Sequence, residues 1–195
     1  MSPPDSPSDV RLSRLRQSVL DAPVVWKDDY AYFVHPLTDG VPRQSADMLR
    51  EARDIVLEMV DWEQVDLILG IEAMGIPLAS TLSLATGKPL VIARKRHYGL
   101  PGEVVVDQST GYSKGSIFLN DVNAGDRVFL IDDVVSTGGT LRAVLSAVEN
   151  AGATLVDVII VFEKGNKVAE LIEDTGWPLR SLVRLKMDGD KVVLL

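Results

Sequence analysis

The sequence predicts an α/β protein, a parallel sheet flanked by helices with a small hood and a flexible hairpin loop. Three observations predict it. Largely apolar runs at Val65 to Ile71, Leu90 to Ala93, Val128 to Ile131 and Val156 to Phe162 suit strands covered on both faces. Apolar residues recur between these runs at helical spacing. Strand and helix therefore alternate from Val65 to Phe162, the order that right-handed crossovers convert into a parallel sheet.

Taken in order, Met1 to Asp9 is a polar, Pro/Ser-rich tail, and Leu12, Leu15 and Val19 mark a short amphipathic helix after it. The segment Tyr30 to Pro36 is rich in aromatic residues and precedes the core. Ser45 is placed to cap a helix whose apolar face is Met48, Leu49, Ala52, Ile55, Val56 and Met59. After the strand at Val65, Pro77 opens a helix with Leu78, Leu82 and Ala85 inward, and Gly87 ends it. Residues Tyr98 to Asn120 break the rhythm: they are rich in Gly, Ser and Thr, with short strand-like pieces at Glu103 to Val106 and Ser116 to Leu119, a hairpin able to close over a site. Leu182 to Met187, the turn at Asp188-Gly189 and Lys191 to Leu195 read as a terminal hairpin. The expected organisation is a tail and short helix over 1–22, then a single domain over 23–195.

At 195 residues, with 46% hydrophobic and 25% charged, the chain can bury one substantial core. It has no cysteine, which excludes disulfides and thiolate chemistry. No apolar stretch approaches a membrane span and the N-terminus is unlike a secretion signal, so the expected address is the cytoplasm, with no membrane partner. A formal charge of −8 argues against a nucleic-acid partner. It also means that any polyanionic ligand needs local positive charge and a divalent metal.

The most informative stretch is Val128-Phe129-Leu130-Ile131-Asp132-Asp133-Val134-Val135-Ser136-Thr137-Gly138-Gly139-Thr140. An apolar strand delivers its end to the carboxyl edge of the sheet, where ligands of α/β folds collect. Thr137-Gly138-Gly139-Thr140 then supplies hydroxyls and unhindered backbone N–H groups, and Leu141, Val144, Leu145 and Val148 continue as a helix. A helix N-terminus accommodates a phosphate monoester. The acids would repel that phosphate but suit vicinal hydroxyls of a sugar attached to it, so the two halves fit a ribose 5-phosphate. Neither a nucleoside-triphosphate loop nor a dinucleotide fingerprint is present.

This segment resembles the phosphoribosyl pyrophosphate signature of type I phosphoribosyltransferases, which are Rossmann-like. The resemblance implies a transferase moving 5-phosphoribose from phosphoribosyl pyrophosphate to a base, with pyrophosphate released. It covers most of Pro23 to Lys164. It implies that Val134, Ser136, Thr137, Gly138, Gly139 and Thr140 hold the substrate, while Asp132 and Asp133 orient the ribose and favour a positively charged sugar carbon. Mg2+ would bridge pyrophosphate and ribose oxygens, the two acids acting on it through ribose or water.

Glu72-Ala73-Met74-Gly75 ends the first long strand and makes a second backbone-rich anion loop at the same sheet edge. In the resembled family this loop binds pyrophosphate. Some members carry a basic residue where Met74 stands. Arg94-Lys95-Arg96 is the densest positive charge in the chain, and with Gly99-Leu100-Pro101-Gly102-Glu103 it resembles the basic segment and mobile loop of adenine and xanthine phosphoribosyltransferases. Closure would bring Arg94 and Lys95 to the departing pyrophosphate and exclude water. Phe33 is a candidate to pack on a purine plane. Lys164 is a candidate specificity residue, because 6-oxopurine enzymes of the family read the exocyclic oxygen with a lysine in this region. His35 and His97 lack a metal-spaced partner cluster and are expected at the surface or in structural roles.

Two departures stand out. Ser136 replaces the acid that mammalian-type hypoxanthine-guanine enzymes place near the base nitrogen, and a serine hydroxyl is a poor general base. Thr110-Gly111-Tyr112-Ser113 holds no glutamate, although adenine-type enzymes often carry one in this region. The arrangement is closest to archaeal hypoxanthine-guanine-like and adenine-type members. The expected activity is therefore purine salvage with hypoxanthine or guanine as acceptor, in a homodimer by family habit. Adenine or xanthine is the alternative acceptor. The alternative of another class is a non-catalytic regulator that senses phosphoribosyl pyrophosphate.

Overall fold

The computed structural model describes residues 12–28, 30–109 and 114–195. Its centre is a six-stranded sheet built from β3 (Leu67–Ile71), β4 (Leu90–Ala93), β7 (Arg127–Val135), β8 (Thr154–Lys164), β9 (Leu179–Asp188) and β10 (Lys191–Leu194). The order is β10-β9-β8-β7-β3-β4, with every neighbouring pair parallel except the β9/β10 hairpin at the edge. Two further hairpins lie outside it: β1 (Val24–Lys27) with β2 (Tyr30–Phe33), and β5 (Val104–Ser109) with β6 (Lys114–Leu119).

Side-chain alternation along the buried strands divides the core into two layers. On one face Ile68, Phe129, Ile131, Ile159 and Val161 pack with α1 (Ser13–Leu20), α3 (Ala46–Met59) and α4 (Gly75–Thr86). On the other, Leu69, Val128, Leu130, Val158 and Ile160 pack with α5 (Gly139–Asn150), α6 (Lys167–Thr175) and Ile117 of β6. Among the described residues no helix is long and apolar enough to cross a membrane.

Local chemistry accounts for the helix ends. Ser45 Oγ accepts from Asp47 N at 3.2 Å as the cap of α3. Gly87 ends α4 in a left-handed conformation, φ 70°. Three elements differ from the sequence reading. In α4 Ala79 is buried, whereas Ala85 faces outward with Leu84, 88% exposed, beside it. Helix α6 extends the strand-helix alternation past Phe162; it buries only Val168 and Leu171, too short a stripe to announce itself. The strand β7 continues through both acids to Val135, since Val134 and Val135 pair with Phe162 and Glu163 of β8.

The hood consists of β1, β2 and α2 (Pro36–Asp39). Asp39 clamps it, accepting from Tyr32 Oη at 2.9 Å, His35 N at 2.9 Å and Thr38 Oγ1 at 2.6 Å. His35 is fully buried rather than at the surface: Nδ1 accepts from Leu37 N at 3.1 Å, Nε2 lies 3.0 Å from Ser18 Oγ, and the ring packs edge-on against Phe162. Burial pulls its pKa from 6.5 to about 4, against a smaller upward pull from Asp39. The imidazole therefore contributes stability that is complete above pH 6.5 and lost as pH falls toward 4, because only the unfolded chain takes up the proton over that window. We expect a loss of about 3 kcal/mol over the window. Replacing His35 by Gln should flatten that part of a denaturant-midpoint profile.

Candidate active site

A cavity of about 480 Å³ opens where the carboxyl ends of β7 and β8 meet the hood. Its floor is Asp132, Val134, Val135, Ser136, Thr137, Gly138, Thr140 and Leu141; its wall is Lys164 of β8; and its roof is Lys27, Asp28, Tyr30, Tyr32, Phe33 and Thr38. Most of the residues expected to hold substrate thus converge on one volume. Gly139 begins α5 at the cavity edge.

The end of this cavity nearest α5 is set by Gly138. It caps α5 with φ 80°, a backbone state that glycine adopts readily, and its carbonyl accepts from Arg142 N at 2.9 Å. The first N–H groups of a helix have no acceptor within it, so they are directed at whatever lies in the loop. Replacing Gly138 by Ala strains the backbone and brings a Cβ within 3.4 Å of Leu171 Cδ1. The expected result is a KM for the phosphate-bearing substrate raised by roughly tenfold, with a stability loss of about 1–2 kcal/mol.

Asp132 and Asp133 are both buried, 8% and 9% exposed, and of the two Asp132 lines the cavity while Asp133 does not. Burial pushes both carboxyls up. For Asp132, hydrogen bonding from Asp133 and the Lys95 charge oppose the rise, whereas for Asp133 the charge of Asp132 adds to it. Space for Asp132 is made by Gly75, where a Cβ would stand 2.9 Å from Asp132 Oδ1. Among the described residues no cluster of three or more His, Cys, Asp or Glu could hold a metal by itself.

The hood side is organised around Lys164. Its ammonium donates to Tyr30 Oη at 2.8 Å and lies 4.6, 5.3 and 5.0 Å from the ring centres of Tyr30, Tyr32 and Phe33. Tyr30 Oη is also 3.0 Å from Ser136 Oγ. Burial disfavours ionisation of Tyr30, but hydrogen bonds with Lys164 and Ser136, and the Lys164 charge, outweigh it and its pKa falls below 10.0. Tyr32 moves far upward through burial and its bond to Asp39. Phe33 is 3% exposed and belongs to the core as well as to the cavity edge. Tyr30 and Tyr32 lie in the aromatic segment flagged from the sequence, whereas Lys27, Asp28 and Thr38 lie outside it and were missed; the Tyr30 contacts, spanning 106 and 134 residues, carry no local signal.

The remaining candidates form a separate group beside the cavity. Glu72 follows β3, and its Oε2 accepts from Lys95 N at 2.9 Å and lies 3.0 Å from Arg94 Nε, an ion-pair distance without hydrogen-bond alignment. Ala73 is exposed in the turn, the Glu72–Ala73 peptide is cis, and the Met74 thioether sits against Gly40 at the end of α2. Arg94 bridges to Phe118 through paired backbone bonds of 2.9 and 2.7 Å, fastening the β5/β6 hairpin to the end of β4. Glu103 ties the intervening loop, accepting from Tyr98 N, Gly99 N and Asn120 Nδ2 and lying 3.0 Å from His97 Nε2. The hairpin body rests on α5 through the second core layer, and among the described residues it does not line the cavity. Thr110-Gly111-Tyr112-Ser113 lies outside the described residues.

Comparison with known proteins gives the family and the fold. The phosphoribosyl transferase domain family matches residues 43–177. The hypoxanthine/guanine phosphoribosyltransferase of Ferroglobus placidus is 50% identical over 184 residues, covering 93% of this chain and 97% of that protein. That of Methanothrix soehngenii is 49% identical over 181 residues, covering 93% and 95%. Among solved structures, adenine phosphoribosyltransferase from Thermoanaerobacter pseudethanolicus superposes with a TM-score of 0.73 at 20% identity, over 89% of this chain and 99% of that one. The enzyme from Leishmania tarentolae gives 0.74 at 22% identity, over 91% and 89%. These likenesses at low identity carry the fold, and the sequence match carries the family: the chain belongs to the phosphoribosyl transferase domain family.

Proposed function

We propose that the protein transfers 5-phosphoribose from phosphoribosyl pyrophosphate to hypoxanthine or guanine and releases pyrophosphate. The observation that carries the acceptor is Lys164, whose ammonium stands in the cavity wall beside the Ser136 to Thr140 loop; a fixed cation suits a 6-oxo group and opposes a 6-amino group. The printed activity of the relatives that share about half its residues supports the same choice.

In this reading the loop and the start of α5 hold the 5-phosphate, and Asp132 and Asp133 hold ribose hydroxyls. Charge developing on the sugar carbon then meets two carboxyls inside a low-dielectric wall, which is electrostatic positioning rather than covalent catalysis. Pyrophosphate lies toward Glu72 to Gly75, with Arg94 and Lys95 next to it. Asp132 and Asp133 are hard oxygen donors of the kind Mg2+ takes, and they would hold it indirectly, through ribose or water. When bound, the ion neutralises charge on the departing diphosphate. In this reading the site serves one domain over 23–195, onto whose core α1 also packs through Leu15 and Val19, in a cytoplasmic homodimer.

The test is pyrophosphate release from phosphoribosyl pyrophosphate with Mg2+, measured separately with hypoxanthine, guanine, xanthine and adenine. Release with hypoxanthine or guanine supports the proposal. Preference for adenine or xanthine moves the acceptor, and tight donor binding without release for any base makes the protein a sensor.

A further inference from the structure

We infer that Tyr30 is a specificity-determining positioning residue: its phenol accepts from Lys164, fixing the ammonium, and donates to Ser136, freeing that hydroxyl's proton, so that both donate toward the 6-oxo and N7 edge of a purine. The inference rests on the reading of the chain as a hypoxanthine or guanine transferase.

The direction of the hydrogen bonds follows from the groups. An ammonium only donates, so the Tyr30 oxygen is the acceptor of the 2.8 Å contact. Either hydroxyl can donate across the 3.0 Å contact; an oxygen already loaded by a cation is a poorer second acceptor and holds a more polar O–H, so for the neutral phenol the favoured direction runs from Tyr30 to Ser136 Oγ. With its oxygen engaged by Tyr30, the Ser136 hydroxyl directs its own proton elsewhere, and Ser136 lines the cavity. Lys164 retains further N–H groups, and the aromatic faces of Tyr30, Tyr32 and Phe33 limit how its head can swing.

Two neighbouring donors define a ligand edge. In their 9-substituted nucleotides hypoxanthine and guanine present adjacent acceptors at O6 and N7, whereas adenine presents an acceptor at N7 and a donor at the amino group. The pair therefore matches a 6-oxopurine and sets cation against N–H for adenine. It also gives Ser136 a task suited to a hydroxyl that is a poor base: in the nucleotide product N7 carries a lone pair, and Ser136 donates to it. Among the described residues strand β2 pairs only with β1, so the Tyr30 side chain is a direct polar link from the hood to this part of the floor.

The experiment compares wild type, Tyr30→Phe, Ser136→Ala and the double variant. Phenylalanine keeps the ring beside Lys164 and deletes only the oxygen. Steady-state constants for phosphoribosyl pyrophosphate, hypoxanthine and adenine are read together with dissociation constants for inosine 5′-monophosphate, its 7-deaza analogue and adenosine 5′-monophosphate. Tyr30→Phe is expected to raise the hypoxanthine KM by roughly tenfold, leave that of the donor unchanged and narrow the inosine-over-adenosine preference. Ser136→Ala should bind the inosine nucleotide and its 7-deaza analogue alike, and the double variant should lose less than the sum of the singles. A Tyr30→Phe protein with unchanged base KM and unchanged nucleotide preference overturns the inference alone, as does an equal loss for donor and base, the mark of a merely structural role. Wild-type protein that uses neither hypoxanthine nor guanine overturns the underlying reading, and the inference falls with it.

Discussion

Replacing Asp133 by Asn is expected to lower kcat by about a hundredfold or more while raising the thermal midpoint above neutral pH. The two effects share one cause. Asp133 is buried beside Asp132, and both burial and the neighbouring carboxyl oppose its charge. A carboxyl whose folded pKa is raised contributes stability that is complete below its ordinary value of 3.8 and is lost as pH rises through the folded value. Asparagine keeps the shape and never charges, so the variant gains on wild type as pH increases. In the proposed reaction the charge that the fold resists is the one that would serve the sugar carbon, because a carbon becoming positive is favoured by a carboxylate and indifferent to an amide. The measurement is kcat alongside thermal midpoints at several pH values. A folded variant with undiminished turnover would remove Asp133 from ribose handling. His35 supplies the contrast within one molecule: its stability contribution is lost on the acid side, that of the acid pair on the alkaline side.

Replacing Gly70 by Ala is expected to cost about 3 kcal/mol and to lower the thermal midpoint by about 10 °C. Gly70 lies in β3 directly beneath α4, and a Cβ there would stand 2.9 Å from Ala79 Cβ and 2.9 Å from the Gly75 carbonyl oxygen. Neither neighbour is the free end of a flexible side chain, so the helix itself has to move. Because Gly75 begins that helix and closes the Glu72 to Gly75 loop, the displacement should also raise the KM for phosphoribosyl pyrophosphate. Ala79→Gly in the same background relieves one of the two contacts and should recover part of the stability. Gly75→Ala makes an instructive pair with it: its Cβ would meet Asp132 Oδ1 at 2.9 Å and the Ile131 carbonyl at 3.1 Å, so turnover should fall more than stability. Calorimetry and steady-state kinetics on the three variants separate these effects. An unshifted midpoint for Gly70→Ala would mean that α4 can slide on β3.

The sequence by itself determined the strand-helix alternation, the capped start of α3, the glycine end of α4 and the joining of two acids to a Thr-Gly-Gly-Thr helix start. All of these are written in contiguous residues, where backbone preference and side-chain periodicity act over a few positions. Only the tertiary structure decided which distant groups meet. Helix α6 went unread although Val168 and Leu171 stand at helical spacing, and its place is fixed by packing on β8 and β9. The Tyr30–Lys164–Ser136 contact joins the hood to two different strand ends, and nothing local to Tyr30 distinguishes it from Tyr32. The need for glycine at Gly70 and Gly75 is likewise a matter of interlayer distance: neither has a positive φ, and what excludes a side chain is backbone and carboxylate from elements far along the chain. Periodicity specifies what each segment becomes, while the distances between segments, which set the chemistry of the cavity, arise only when the layers close-pack.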